Sequence, residues 1–186
     1  MRRLLPVLLV GLATTGCDVA GDRVPTRATL ISIDIEDAPL RQLDGSRWDG
    51  DVGGGPELYV RLYDERDLPA RDACAGSRDL INPRDDVSMR PRFSDTPWYD
   101  DVESGDFPLE WDVDGGFALP RLTDPLLVVL CDYDPTTVDD EVAITTTFAL
   151  ADRAPSQVDG VEDTILVEGA GPDRDRVLVR LRVVYR

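Results

Sequence analysis

Apolar and polar residues alternate with a period of two along several stretches of this chain. In residues 31–36 three isoleucines alternate with Ser, Asp and Glu, which predicts a strand with the isoleucines on its buried face. Residues 58–63 repeat the pattern with tyrosines on the opposite side, and residues 177–185 repeat it with arginines. Residues 142–150 place Val, Ile, Thr, Phe and Leu on one face. Residues 126–131 are apolar at every position, as expected of a central strand buried on both faces.

Stretches rich in Gly, Pro and Asp separate these segments, and no comparable helical periodicity is present. The pattern predicts an all-β fold, an antiparallel β-sandwich of about eight strands. Residues 65–95 are rich in Asp, Arg and Pro, so we expect a long loop with at most one short strand there. The length favours one domain, over residues 28–186.

The N-terminus has the organisation of an export signal. Arg2 and Arg3 precede an apolar run at residues 4–12, which is too short to cross a bilayer as a helix, and small residues follow at 13–16. With Cys17 this segment resembles the lipobox of bacterial lipoproteins. The resemblance implies a signal peptide at 1–16, a lipidated (palmitate-bearing) Cys17 that attaches the chain to the cell membrane or outer membrane, and a tether over 17–27. A plain signal peptide that leaves Cys17 in the mature chain, or a membrane-embedded anchor, stays open.

The net charge and the choice of basic residues exclude some classes of partner and some kinds of catalysis. The net charge is −17, and loss of Arg2 and Arg3 with a signal peptide makes the remainder more negative by two. Nucleic acid is therefore excluded as a partner, because phosphate binding needs a basic surface. All basic residues are Arg, and the absence of Lys and His removes Schiff-base chemistry, His-based triads and His-containing metal sites. We expect a protein that is not an enzyme.

Besides Cys17 the chain contains Cys74 and Cys131. In an oxidising compartment an even pair predicts a disulfide, which would join the polar segment around Cys74 to the apolar strand that ends at Cys131. Two separate buried thiols are the alternative.

Three loops carry most of the candidate chemistry, at residues 43–57, 96–100 and 132–140. Calcium takes six to eight oxygen ligands, which acidic loops converging from separate parts of a chain supply. The third loop gives the strongest signal, because Asp132 and Asp134 alternate and Asp140 returns after a turn. In so acidic a chain, solvated carboxylates without any ion are the alternative.

At these positions the chain resembles a C2 domain, a β-sandwich family known for calcium-dependent phospholipid binding. Residues 57–60 (Glu-Leu-Tyr-Val) are similar to the end of that family's first calcium loop, and Asp132, Asp134 and Asp140 match its third loop. The Asp-Gly-Ser-x-Trp-Asp run at 44–49 is similar to C2-like domains of bacterial secreted lipoproteins.

The resemblance implies a calcium site and a membrane-associated binding module, whose partners are phospholipid headgroups or an envelope protein. The candidate ligands that it implies are Asp44, Asp49, Glu57, Asp132, Asp134 and Asp140, with Asp51 as a further option in the first loop.

Two other functions remain open at this stage. The alternative to the binding module is a passive structural envelope protein whose acidic surface serves solubility and binds no ion. A hydrolase with paired carboxylates is the third hypothesis, although the sequence places no carboxylate in an apolar pocket pattern.

Overall fold

The computed structural model describes residues 24–42, 44–48, 54–119, 121–135, 138–155, 160–169 and 177–186. Strands dominate these residues, and two single-turn 3₁₀ helices, Glu65–Asp67 and Leu150–Asp152, interrupt them. No helix among the described residues has the length and apolarity needed to cross a bilayer. The strands are β1 (Ala28–Asp37), β2 (Leu58–Asp64), β3 (Met89–Pro91), β4 (Leu109–Ala118), β5 (Leu126–Asp132), β6 (Asp140–Ile144), β7 (Val161–Glu168) and β8 (Leu178–Tyr185).

The strands form two sheets in which every pairing is antiparallel. One sheet has five strands in the order β3-β4-β1-β8-β7, and the other has three in the order β2-β5-β6. Inward-facing side chains of both sheets, such as Ile33, Trp111, Val60 and Leu181, form one buried core between them. The predicted all-β antiparallel sandwich of eight strands is confirmed.

Strands β2 and β5 of the three-stranded sheet are buried on both faces. Leu126, Val128 and Leu130 of β5 point into the main core, whereas Leu127 and Val129 belong to a second apolar cluster. That second cluster lies on the outer side of the sheet, under residues 65–99, which we call the covering segment. This layer explains why β5 is apolar at every position.

The covering segment is attached to the sheet by covalent and backbone bonds. The structure pairs Cys74 of the segment with Cys131 of β5 in a disulfide, with the Cα atoms 5.9 Å apart. Isolated β-bridges join Ile81 to Leu62 and Tyr99 to Leu58, so the segment also borders the edge of β2. The expectation of a long loop with one short strand agrees with the observed β3.

Two sequence-based assignments of side chains to faces are wrong. Ile31 is only half-buried and lies outside the main core, while Leu30 lies inside it, because a bulge between Leu30 and Ser32 shifts the inward-facing positions. The strand predicted to continue to residue 150 ends at Ile144. Ile144 packs against the outer cluster because the pairing of β5 with β6 is also irregular, between Leu130 and Cys131.

The outer face of the five-stranded sheet is polar and is crossed by arginines. Arg180 pairs with Glu36 at 2.9 Å and Arg182 with Glu162 at 2.7 Å. Asp34 lies between these side chains, only 4% exposed, with one carboxylate oxygen that has no protein hydrogen-bond partner. Burial raises the pKa of Asp34, and the neighbouring Arg180 and Arg182 charges oppose that rise only in part.

The strand pairings define two ends of the sandwich. At one end Ala28 of β1 is paired with Tyr185 of β8, and the Tyr185 hydroxyl donates a hydrogen bond to the Leu150 carbonyl. At the other end Ile35 is paired with Leu109. The ten residues of β1 separate these ends by about 30 Å, at about 3.3 Å per residue.

We predict that Gly55→Ala destabilises the protein, because a Cβ at this position would overlap the Val102 backbone carbonyl. The matched control is Gly105→Ala, where a Cβ meets no atom within 4 Å. Thermal denaturation followed by circular dichroism should give a lower midpoint by several degrees for Gly55→Ala, corresponding to about 1–3 kcal/mol. Equal midpoints for the two variants would contradict the close approach of these backbones.

We predict that the effect of Asp34→Asn on stability depends on pH. Because the folded-state pKa of Asp34 is raised above its ordinary value of 3.8, the unfolded chain loses this proton first, and the native protein loses stability as the pH rises from 3.8 through the folded-state value. Asn does not titrate, so the variant does not lose stability at this position as the pH rises. Its midpoint relative to the native chain should therefore be higher at pH 7 than at pH 4, and a constant difference would contradict the prediction.

Candidate functional site

The acidic loops of the sequence meet at one end of the sandwich, which we call the loop end. It consists of the described residues of 38–57, residues 96–102 and the described residues of 132–140. The Val102 N–H donates to the Pro56 carbonyl at 3.1 Å, and Leu58 and Tyr99 exchange both backbone hydrogen bonds at 2.9 Å. The first and second loops are therefore fixed to each other by backbone hydrogen bonds.

Asp132 holds the first loop against the third. It ends β5, is 4% exposed, and accepts a hydrogen bond from the Glu57 N–H on its Oδ1 at 2.8 Å. In return the Tyr133 N–H donates to the Glu57 carbonyl at 2.7 Å. One oxygen of this candidate ligand is thus engaged in joining two loops.

Asp139 is a highly connected carboxylate of the third loop, although it was not among the candidate ligands. It is buried, and its carboxylate accepts from the Tyr59 hydroxyl at 2.6 Å and from the Asp134 N–H at 3.2 Å. Arg84 completes the arrangement by an ion pair with the same carboxylate. Burial raises the pKa of Tyr59 well above its ordinary value, and the hydrogen bond to Asp139 raises it further.

Aromatic rings surround the guanidinium of Arg84. Its central carbon lies 5.4 Å from the centroid of the Tyr59 ring and 4.9 Å from that of Tyr133. The Tyr133 ring is stacked on Trp98, with centroids 3.9 Å apart and planes inclined by 24°. Trp98 and Tyr133 are partly exposed, so this stack reaches the surface of the loop end.

A polar network continues from Arg84 beneath the covering segment. The Asn82 side-chain oxygen accepts the backbone N–H groups of Arg84 and Asp85 at 2.9 and 3.1 Å, and the Asn82 amide donates to Asp79. Asp79 also accepts from Arg61 at 2.9 Å, and Arg61 is 4% exposed. Arg61, Asn82 and Arg84 line part of a cavity of about 290 Å³ that lies beside the disulfide.

The structure pairs two of the predicted calcium ligands, Asp132 and Asp140, across neighbouring strands. Asp140 is exposed and lies opposite Asp132 in the pairing of β5 with β6, while Asp134 follows β5 and is half-buried. Asp44 is exposed, and hydrogen bonds from Ser46 lower the pKa of its carboxyl group.

The described acidic side chains leave the predicted calcium site incomplete. Within the part of the chain that the structure describes, no three His, Cys, Asp or Glu residues are grouped so that they could hold a metal ion. Asp132 and Asp139, the buried carboxylates here, already accept hydrogen bonds from protein groups. Asp49 and Asp51 of the first loop lie outside the described residues, as does Cys17.

Sequence reasoning missed the residues that organise the loop end. Arg84 lies 55 positions from Asp139, and Tyr59 lies 80 positions from it. The alternating pattern predicts Tyr59 as a strand residue, and Arg84 falls only within a polar loop. The local signal that was available is the Asn82-Pro83-Arg84-Asp85 turn, in which Asn is a residue typical of turns that bind their own backbone.

No protein-family model matches the chain, and no curated protein matches it. Among solved structures the chain is similar to a C2 domain of plant Extended Synaptotagmin 1, with 12% identity and a TM-score of 0.47, over 88% of this chain and 95% of that domain. It is also similar to a C2 domain protein from Ramazzottius varieornatus, with 13% identity and a TM-score of 0.45, over 88% and 91%. Both of these structures are C2 domains.

We predict that Asp132→Asn destabilises the protein in the absence of any metal ion, since the charged acceptor of the Glu57 N–H is lost. The cost should be about 1–2 kcal/mol. Asp140→Asn removes the same charge from an exposed position and should change the denaturation midpoint little. Both variants are measured in chelator, in calcium and in magnesium at equal ionic strength. A rise in the native midpoint that is specific to calcium and is lost in both variants would contradict this structural role.

Proposed function

We propose that this chain is an exported binding module of the cell envelope, anchored by a lipid on Cys17, and that its loop end contacts a protein partner without catalysing a reaction. The observation that carries the proposal is the position of the loop end relative to residues 24–28. Ala28 begins β1 at the end of the sandwich opposite to the loop end, about 30 Å away.

This position bears on which partner the module meets. The Thr26 and Arg27 N–H groups donate to the Arg186 carbonyl at the Ala28 end, so an anchor on Cys17 leaves residues 18–25 as the tether. These residues extend over at most about 29 Å, which is less than the length of the sandwich, so the Ala28 end lies next to the membrane and the loop end faces away from it. The strongly acidic body is also repelled by an anionic membrane surface. Of the two partners suggested by the sequence, an envelope protein is therefore favoured over phospholipid headgroups.

The chemistry of the loop end supports a protein contact. Trp98 and Tyr133 present a stacked aromatic pair at a partly exposed position, next to Arg84. Tryptophan, tyrosine and arginine are the residue types that contribute most to protein interfaces, because they combine a large apolar area with a polar group. Bonds within the protein already hold this pair in place, so partner binding loses little conformational entropy.

Calcium is not required in this proposal. Asp132 and Asp139, the buried carboxylates of the loop end, already accept hydrogen bonds that join its segments. The role proposed here is therefore recognition by a preformed surface, and the passive acidic protein is the alternative that the following experiment tests.

We expect a photo-crosslinking amino acid at Trp98 to form adducts with an envelope protein in intact cells. The matched control carries the same amino acid at Arg153, which lies next to Leu150 at the opposite end and is exposed. Adducts confined to Trp98 support the proposal. No adducts at either position would favour the passive protein, and adducts with lipid at Trp98 would favour headgroup binding.

Anchoring is tested separately. The native chain should incorporate labelled palmitate and fractionate with membranes, and Cys17→Ser should lose both properties because the thiol is the acylation site. A membrane-bound Cys17→Ser chain would show that another segment holds the protein.

A further inference from the structure

Arg84 is the cation that lies among the carboxylates and tyrosines of the loop end. Its guanidinium comes from the covering segment and pairs with Asp139 of the third loop, across 55 positions of sequence. Its side chain remains 39% exposed, whereas that of Asp139 is 9% exposed. A side-chain cation therefore sits at the surface of a buried anion, as a bound ion would.

We propose that Arg84 is the built-in cation of the loop end and takes the structural place that a divalent ion would have among these acidic loops. It neutralises Asp139, fixes the described residues of 132–140 against β2, and gives the loop end its final conformation without a metal. This inference goes beyond the proposed function, since it concerns how the contact surface is formed and not what it binds.

The need for such a cation follows from the burial of Asp139. A buried carboxylate without a compensating charge is costly, so the native fold must supply one. The Tyr59 hydroxyl and the Asp134 N–H donate hydrogen bonds to Asp139 but carry no charge. Among the described residues, the ion pair recorded for Asp139 is with Arg84.

Contacts other than the ion pair with Asp139 also hold Arg84 in position. Asn82 binds the backbone N–H of Arg84, and Asn82 is itself held by Asp79, which pairs with Arg61. The rings of Tyr59 and Tyr133 lie within 5.4 Å and 4.9 Å of the guanidinium, at the distance of cation–π contacts. A planar guanidinium suits this position between aromatic rings better than the ammonium of a lysine.

The test uses the purified chain and a double-mutant cycle of Arg84→Gln and Asp139→Asn. Arg78→Gln is the matched control, because Arg78 is highly exposed and its nearest carboxylate, on Asp67, is 3.9 Å away. The denaturation midpoint and the hydrogen exchange of residues 132–140 are measured for each variant. Each measurement is made in chelator, in about 5 mM calcium and in about 5 mM magnesium, above the calcium concentrations of about 10⁻⁴ to 10⁻³ M that extracellular modules need.

We expect Arg84→Gln to lower the midpoint by about 5 °C or more and to accelerate exchange in residues 132–140, because it leaves Asp139 buried without a counter-charge. Arg78→Gln should change neither. The double variant should lose less stability than the two single variants lose together. Removing both charges leaves no buried charge without a partner. The denaturation midpoint and the hydrogen-exchange rates of the native chain should be the same in calcium as in magnesium.

Three results would overturn the inference. The first is additive effects of Arg84→Gln and Asp139→Asn, which would mean that the two groups do not interact. The second is unchanged exchange of residues 132–140 in Arg84→Gln. The third is a stabilisation of the native chain by calcium beyond that given by magnesium, which would mean that an ion and not Arg84 completes the loop end. Each result is independent of partner binding, so it leaves the proposed function untouched.

Discussion

The burial of β2 and β5 on both faces is the constraint on which the rest of this structure depends. A strand that is apolar at every position must be shielded from water on both faces. The five-stranded sheet packs on one face of β5, and the covering segment packs on the other. The Cys74–Cys131 disulfide and the bonds of Arg61 keep that segment in place. Because the segment carries Arg84 and Trp98, the same burial also positions the loop end.

The acidity of the chain has a structural counterpart in its arginines. Buried or half-buried carboxylates such as Asp34, Asp64 and Asp139 each lie beside at least one guanidinium. A guanidinium offers several donors in a fixed plane, so one arginine joins groups from distant segments. At the loop end Arg84 and Asp139 pair with each other, and the partly exposed pair of Trp98 and Tyr133 is the proposed contact surface.

Some backbone groups at the two edge strands of the five-stranded sheet cannot pair with a further strand, which favours the loops as the binding surface. At β3, Pro91 has no N–H, and the Met89 N–H donates to the Asp86 carbonyl. At β7, the Asp163 carboxylate accepts the Thr164 N–H, and the Glu168 carbonyl accepts from Thr146. Addition of a partner strand at these edges would have to break such bonds, so the loop end is the better surface for binding.

The sequence by itself determined the fold class and most of the core, because the period of a strand is a local property of the backbone: the alternation in β2 and β8 and the apolar run of β5 were all visible in it. It also showed the acidic loops, although it missed β4, whose Leu109 and Trp111 alternate with acids. Only the tertiary structure decided which charges meet, since the pairing of Arg84 with Asp139 depends on how a distant segment covers the sheet. The bulge in β1 likewise moved Ile31 out of the core, because two neighbouring strands fix that register and no local pattern encodes it.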